Sequence, residues 1–448
     1  MVRASCRLLS ILLLPSVASA TTYQVGAART QKSPCALAQA VALMPGDVIE
    51  VDAGTYTDQC QLTASGTAAQ PIVMRGVAGP RPVFDATGKD LSGAGPVPRA
   101  IFQWNGGSYW VVEHLELENA ANTSGANGSG FRVTAGGHDI TLRDLSIHDC
   151  QDGAQSDGAS TITIESSEIF HNGAGDGQSH NLYLQGESVR LIGNHIHDSV
   201  VGQNIKLRTR YIEILYNLVE NSGNYEMDLI QGPTTSMPNA NAILIGNVVV
   251  RAVDAGVNGN NGQTIVFSSD DPNAVGRNGS LYAINNTFIL RNASNKLFHV
   301  ISPVAGVSHV YLFNNIVHAT VAGTSLTFDT ATADLVSGSN NFISTAVGGV
   351  PATVTTTIGG ADPGFAATGD YRLAAASPAI DAALANPMFV DGAGMMQSGV
   401  PTLHVAAPLG TSPRPVDARL DVGAFEFGSG TLPGDGGVEV GDMAGGGG

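Results

Sequence analysis

Short runs of alternating apolar and polar residues recur along the middle of this chain, and they align without gaps. The clearest are ITLRDLSIHD from Ile140, ITIESSEIFH from Ile162, VRLIGNHIHD from Val189, IEILYNLVEN from Ile212, AILIGNVVVR from Ala242, LYAINNTFIL from Leu281 and VYLFNNIVHA from Val310. WVVEHLELEN from Trp110 is a looser eighth. Each reads as a short strand, a polar corner and a second short strand. Five carry asparagine at the same corner: Asn194, Asn217, Asn247, Asn286 and Asn315. Successive starts lie 22, 27, 23, 30, 39 and 29 residues apart. A minimum near 22 with variable excess predicts an all-β solenoid, a single-stranded right-handed parallel β-helix. Each coil stacks on the one below and insertions bulge from a corner. Asparagines stacked at one corner can hydrogen-bond along the ladder. Leucine-rich repeats are the competing solenoid, but neither their leucine consensus nor their helical returns are present.

The flanks complete the body. ALAQAVALMPGDVIEVDAGTY predicts a short amphipathic helix over Ala36–Met44, a turn at Pro45-Gly46-Asp47 and a first strand. Such a helix would cap the open N-terminal edge that a solenoid leaves. The β-helix is expected over residues 21–345, its C-terminal end and closing segment over 346–427, and a disordered Gly-rich acidic spacer over 428–448. The first twenty residues read as a secretory signal: Arg3 and Arg7, an apolar run too short to span a membrane, then Ala-Ser-Ala before Thr21. No later segment is a membrane span. A secreted or cell-surface location follows as an expectation.

Charge and cysteines narrow the chemistry. The formal charge is −17, and removal of the signal with its two arginines would make it −19. A chain this acidic is a poor nucleic-acid binder, and an acidic substrate would need a local cationic patch or a metal. It is expected to be a monomer. Beyond the signal, a Cys35–Cys60 bridge with Cys150 free and buried suits an oxidising compartment. Scattered cysteines without a C-x-x-C make a zinc site on sulfur unexpected.

The run from Pro34 to Asp85, with its phrases PGDVIEVDAGTY and SGTAAQPIVMRG, resembles the N-terminal coils of secreted bacterial β-helix proteins of the pectate-lyase-like superfamily. The likeness is to its chondroitinase-B and alginate-lyase branch. DPGFAATGDYRLAAASPAIDAA and LDVGAFEF resemble the closing segments of bacterial surface-anchored β-helix proteins. The first resemblance implies a polysaccharide lyase, the second a surface protein.

Three adjacent coils gather the candidate chemistry. HNLYLQ from His180, QNIKLR from Gln203 and YEMDLI from Tyr225 are 23 and 22 residues apart. Alternation turns Leu182, Ile205 and Met227 inward, and likewise Leu184, Leu207 and Leu229. The outward columns are then Asn181–Asn204–Glu226 and Tyr183–Lys206–Asp228, with Arg208 one step along. Lys206, Arg208, Tyr183 and His180 are the candidate catalytic residues. Asn181, Gln203 and Arg210 are the candidate substrate contacts. Glu226, Asp228 and Asn204 form a hard-oxygen set suited to Ca²⁺. Lyases of the chondroitinase-B type use a lysine, an arginine and a calcium held by Asn and Glu. Lys206, Arg208, Asn204 and Glu226 match that set by residue type, while their spacing departs from it.

An outward Lys–Asp pair alone is worth only ~0–1 kcal/mol. Density argues for more, since exposed strands elsewhere read as Ser, Thr and Asn. The function these residues suit is β-elimination on a uronate-containing polysaccharide, with Arg208 or Ca²⁺ at the substrate carboxylate and Lys206, Tyr183 or His180 moving protons. The alternatives are a C5-epimerase, a glycoside hydrolase using Glu226 and Asp228, whose side chains start ~6.6 Å apart, or a non-catalytic glycan-binding surface protein. The histidines His148, His171, His195 and His197 read as corner-satisfying or solvated. SSDDPN, Ser268–Asn273, reads as a loop. Trp104, Tyr109 and Trp110 could stack sugars or pack in the core.

Overall fold

The computed structural model describes residues 20–122, 127–134, 136–158, 160–253, 262–406, 409–415 and 419–428. Apart from Ala20 and Gly428, the expected signal and spacer lie outside these residues.

Every repeat read from the sequence becomes one coil of a parallel β-helix. A coil runs through three strands in turn. Taking one as the pattern, Leu182–Ile192 bends midway and supplies strands to a first and a second face, and His195–His197 supplies the third. The next coil begins at Ile205 and pairs in parallel register, Leu182 on Ile205 and Val189 on Ile212. The third face forms its own 12-stranded parallel sheet from Thr55–Tyr56 to Ile358–Gly360. Parallel pairing continues to Gly360, within the segment expected to end the β-helix.

The corner between the second and third faces explains the asparagines. One residue there takes the left-handed conformation in each coil: Gly193, Tyr216, Gly246, Asn285, Asn314 and Asn340, with φ of 52–67°. Gly and Asn tolerate this best, which is why these repeats, Tyr216-Asn217 excepted, read Gly-Asn or Asn-Asn here. The next residue is the ladder asparagine. Asn217 Oδ1 accepts both the backbone N–H and the Nδ2 of Asn194 at 2.9 Å. The same double bond links Asn217 to Asn247, Asn247 to Asn286, Asn286 to Asn315, and Asn315 to Asn341. Asn194, Asn217, Asn247, Asn286, Asn315 and Asn341 are all buried, so each bond is protected from competition with water.

The N-terminal helix is shorter than predicted, Pro34–Ala40. Ser33 caps it, Pro34 sits in its first turn, and Val41 ends it in extended conformation. Its Cys35 and Leu37 join the core, and Cys35 is bonded to Cys60, which pins the cap to the first coils. Cys150 is free and buried. Trp104 and Trp110 are core residues, packed among Phe102 and Phe131.

Past Gly360 the chain does not simply close the end of the helix. It forms three antiparallel hairpins, pairing Phe365–Ala367 with Asp370–Leu373, Met388–Val390 with Met396–Ser398, and Leu403–Val405 with Thr411–Pro413. These lie back along the outside of the second and third faces. Phe389 packs with Tyr216, Ile243, Ile245 and Ile284, while Val405 and Phe425 pack with Val248, Val250 and Ile289. Gly410 reaches back to the Gly193 carbonyl at 2.8 Å. The strands under this layer are buried on both sides, so AILIGNVVV is continuously apolar rather than alternating.

Asn247→Ala should cost ~2–4 kcal/mol, because it strips the acceptor from two donors of Asn217 and leaves them buried. Urea unfolding checks this. Thr163→Ala, a half-buried residue on the second face, should stay within about 0.5 kcal/mol.

Candidate functional site

The first face is where three coils bring unlike charges together. Register sets Tyr183 beside Lys206, Lys206 beside Asp228, and Gln185 beside Arg208. Leu182, Leu184, Ile205, Leu207, Met227 and Leu229 point inward and are fully buried. Lys206 Nζ lies 2.6 Å from Asp228 Oδ2 and 3.2 Å from Asp270 Oδ2. Arg208 Nη2 lies 2.7 Å from that same Asp270 oxygen and its Nη1 donates to the Gln231 carbonyl at 2.9 Å. Gln231 Nε2 holds the other Asp270 oxygen at 3.0 Å. Gln203 Nε2 reaches Asp228 Oδ2 at 3.4 Å. Two cations thus converge on a single carboxylate oxygen, above a second carboxylate that is wholly buried.

Burial separates the Lys206–Asp228 pair from the charges on the second face. The second face carries an alternating column of its own, Glu50–Arg75–Glu113–Arg143–Glu165. Concentration of both signs is therefore not confined to the Lys206 coils, as the sequence had implied. The Arg143 side chain is 49% exposed, however, against 12% for Lys206 and 0% for Asp228. Exposed pairs are screened and contribute little; the Lys206 cluster is not screened in that way.

The electrostatics assign protonation states. Burial lowers the Lys206 pKa, but Asp228 and Asp270 outweigh it and hold the ammonium above its ordinary value. Burial works against Asp270 as well, yet Lys206 and Arg208 keep its carboxyl below the usual range. His180 is pushed down to about 3 by burial, reinforced by Lys206 and Arg208. Its Nδ1 accepts the Gln203 backbone N–H at 3.1 Å.

Against known proteins, no family model matches the chain and no curated protein does. Among solved structures it is similar to pectate lyase Pel9A, with a TM-score of 0.54 and 16% identity over 91% of this chain and 97% of that one. It is also similar to a rhamnogalacturonan lyase (TM-score 0.45, 15% identity, 72% and 87% covered) and to an alginate lyase from Paenibacillus sp. str. FPU-7 (0.41, 18%, 75% and 96%). This chain has the fold of the pectate lyase. The fold is the right-handed parallel β-helix, as the repeats predict.

Several predicted site residues lie elsewhere in this β-helix than alternation placed them. Asn181, Asn204 and Glu226 do not face outward. They precede the strands, at a corner, and form a second buried ladder: Asn181 Nδ2 donates to Asn204 Oδ1 and Asn204 Nδ2 to Glu226 Oε2, both at 2.8 Å. Glu226 Oε1 accepts from the Ser222 N–H at 3.0 Å and from Arg251 at 3.3 Å. Asn181 therefore cannot touch substrate. The expected Ca²⁺ set does not fit, because Asn204 and Glu226 spend their oxygens within the ladder and a buried guanidinium already neutralises Glu226. Asp228 Oδ1 and Gln203 Oε1 are buried acceptors without a partner, but two oxygens fall short of the six to eight that Ca²⁺ takes. The glycosidase pair fails for the same reason, with Glu226 and Asp228 both wholly buried. His180 is buried and neutral, so it shapes the Gln203 backbone rather than taking a substrate proton. Arg210 pairs with Glu187 and donates to the Gly392 carbonyl, anchoring the C-terminal layer instead of a ligand.

Two contributors were not read from the sequence. SSDDPN is a loop as expected, yet its Asp270 folds back onto Lys206 and Arg208, and Gln231 secures it. The only sequence signal was its position just past the first-face strand Gln263–Ser268, one coil beyond Asp228. Of the histidines read as corner-satisfying or solvated, His171 is solvated at 62% and His148 and His197 bond the corner residues Asp149 and Asp198, but His148, His195 and His197 are strand residues only 12–14% exposed.

Arg251→Met should destabilise the fold by ~3–5 kcal/mol by leaving Glu226 buried and unpaired, and Glu226→Gln in the same chain should recover much of it in urea unfolding. His180 gives a pH signature. Its pKa is lower in the folded chain than unfolded, so its contribution is present above ~6.5 and is lost as pH falls toward 3. The stability of His180→Gln relative to the parent should therefore rise as pH falls through that window, as followed by thermal unfolding at each pH.

Proposed function

We propose that the first face is the site of a secreted polysaccharide lyase acting on a uronate-containing, acidic polymer by β-elimination. The observation that carries this reading is the meeting of Lys206 and Arg208 on one carboxylate oxygen, that of Asp270. It is a receptor for a carboxylate, currently filled by a loop residue of the same chain. A uronate carboxylate would take the place of Asp270. There the two cations stabilise the enolate that develops as the C5–H bond breaks. Tyr183, one coil from Lys206 on the same face, would take that proton as a phenolate, having first released its own proton to solvent. Lys206, held protonated by Asp228, donates to the leaving oxygen as the C4–O bond breaks and the C4–C5 double bond forms. Gln203 and Asp228 orient Lys206, and no metal takes part in these steps.

A second reading has an observation of its own. Both cations are already neutralised by carboxylates, and Lys206 keeps its proton, which suits a surface that binds acidic glycans without cleaving them. The two readings separate on alginate, pectate and glycosaminoglycans, by following the ultraviolet absorbance of unsaturated uronide ends. For the lyase, Lys206→Ala and Arg208→Ala should each lower turnover by ~10²-fold or more, and Asp270→Asn should lower KM. No unsaturated product on any polymer, with binding that Arg208→Ala abolishes, would leave only the glycan-binding surface.

A further inference from the structure

The third face carries a cluster that the first-face chemistry does not use. On the strands Glu168–Phe170 and His195–His197, register stacks Glu168 on His195, with His197 two residues along the second strand. Glu168 Oε1 lies 3.4 Å from His197 Nε2 and 3.7 Å from His195 Nδ1. The three ligand atoms lie within 4.8 Å of one another. We propose that Glu168, His195 and His197 form a binding site for a divalent transition metal of the zinc class.

Hydrogen bonding to the far side of each ring is the first argument. His197 Nδ1 lies 2.7 Å from Asp198 Oδ2, and His195 Nε2 lies 2.9 Å from Glu220 Oε1. Those sides of the rings face Asp198 and Glu220, so each ring turns its other nitrogen toward Glu168. His197 Nε2 faces Glu168 Oε1 at hydrogen-bond distance, and a metal would displace the proton shared between them. His195 Nδ1 is buried and has no hydrogen-bond partner, so it is available for a ligand bond.

Distance is the second argument. A tetrahedral zinc with bonds of ~2.0–2.1 Å sets its ligand atoms about 3.3–3.4 Å apart. The Glu168 separations match that edge, or come within a few tenths of it. Carboxylates on the remote nitrogens are the orienting partners that metal-bound histidines ordinarily have. The rings themselves are fixed by packing. His195 and His197 stack at 3.9 Å, and Phe170 stacks on His197 from the coil before. Asp198 is aimed by its left-handed corner conformation, φ 50°. Imidazole nitrogen with one carboxylate favours zinc over Ca²⁺ or Mg²⁺, which take oxygen. Three protein ligands leave the fourth position to water or an added ligand.

Two coils nearer the N-terminus, Glu116, Glu118 and His148 form a related group with one histidine. It serves as the internal control. The test uses the full chain stripped with chelator and dialysed against Zn²⁺, with metal counted by atomic emission, and Co²⁺ as an optical probe of geometry. The expected result is one zinc per chain and the visible bands of four-coordinate Co²⁺. His195→Gln and Glu168→Gln should lose both, while His148→Gln keeps them. Asp198→Asn, which touches no metal, should weaken zinc binding by ~10–100-fold, and this holds the test open if a ligand variant fails to fold. Affinity should also fall as pH is lowered, since zinc must displace protons. The proposal is overturned if the parent holds no more zinc than Glu168→Gln, or if His148→Gln abolishes binding as fully as His195→Gln.

Discussion

Everything in this molecule depends on coils stacking in register at the spacing of a parallel sheet, ~4.8 Å. Each side chain lies directly on its counterpart one coil away, so every position must be compatible with a copy of itself. Inside, that condition is met by aliphatic columns such as Leu182–Ile205–Met227. At the corner it is met by asparagine, which offers a donor and an acceptor at once and so can repeat without limit. Glutamate cannot do this, and the second ladder ends at Glu226, where a buried Arg251 must answer the charge.

The same stacking decides where chemistry can occur. The C-terminal hairpins cover the second and third faces over the later coils and make them part of the interior. Among the described residues, the apolar contacts of the hairpins do not extend to the first face beside Lys206 or to Glu168, His195 and His197. Both candidate clusters lie there. The first joins two cations on one carboxylate oxygen; the second joins two imidazoles and a carboxylate. Stacking puts Lys206 against Asp228 and Glu168 against His195, while Asp270 reaches Lys206 and Arg208 from a loop 64 and 62 positions away.

Magnitude separates these clusters from ordinary surface charge. The Glu50–Arg75–Glu113–Arg143–Glu165 column has more charges than the Lys206 site, but its two arginines are nearly half in water. Lys206 and Asp228 are not, so their interaction shifts protonation and holds Lys206 as an ammonium. Under the proposed lyase reading, that suits Lys206 to proton donation and carboxylate binding rather than proton abstraction, and the reading gives abstraction to Tyr183.

The fold was legible because a stacked repeat writes its period into the chain. The Gly-Asn and Asn-Asn corners, the minimum spacing near 22 residues and the inward columns all follow from local conformation and register. The pairing of Tyr183, Lys206 and Asp228 was legible for the same reason. What failed was the assumption that alternation continues past the strand ends. Asn181, Asn204 and Glu226 stand one residue before their strands, where the corner turns them inward. Asp270 and Arg210 were equally beyond reach, because a loop folding back and a C-terminal layer laid over distant coils have no period. Periodicity alone determined the scaffold and which residues share a face. Tertiary packing decided which of those residues are buried, which charges are answered, and which faces remain open, because these depend on contacts between segments with no fixed spacing.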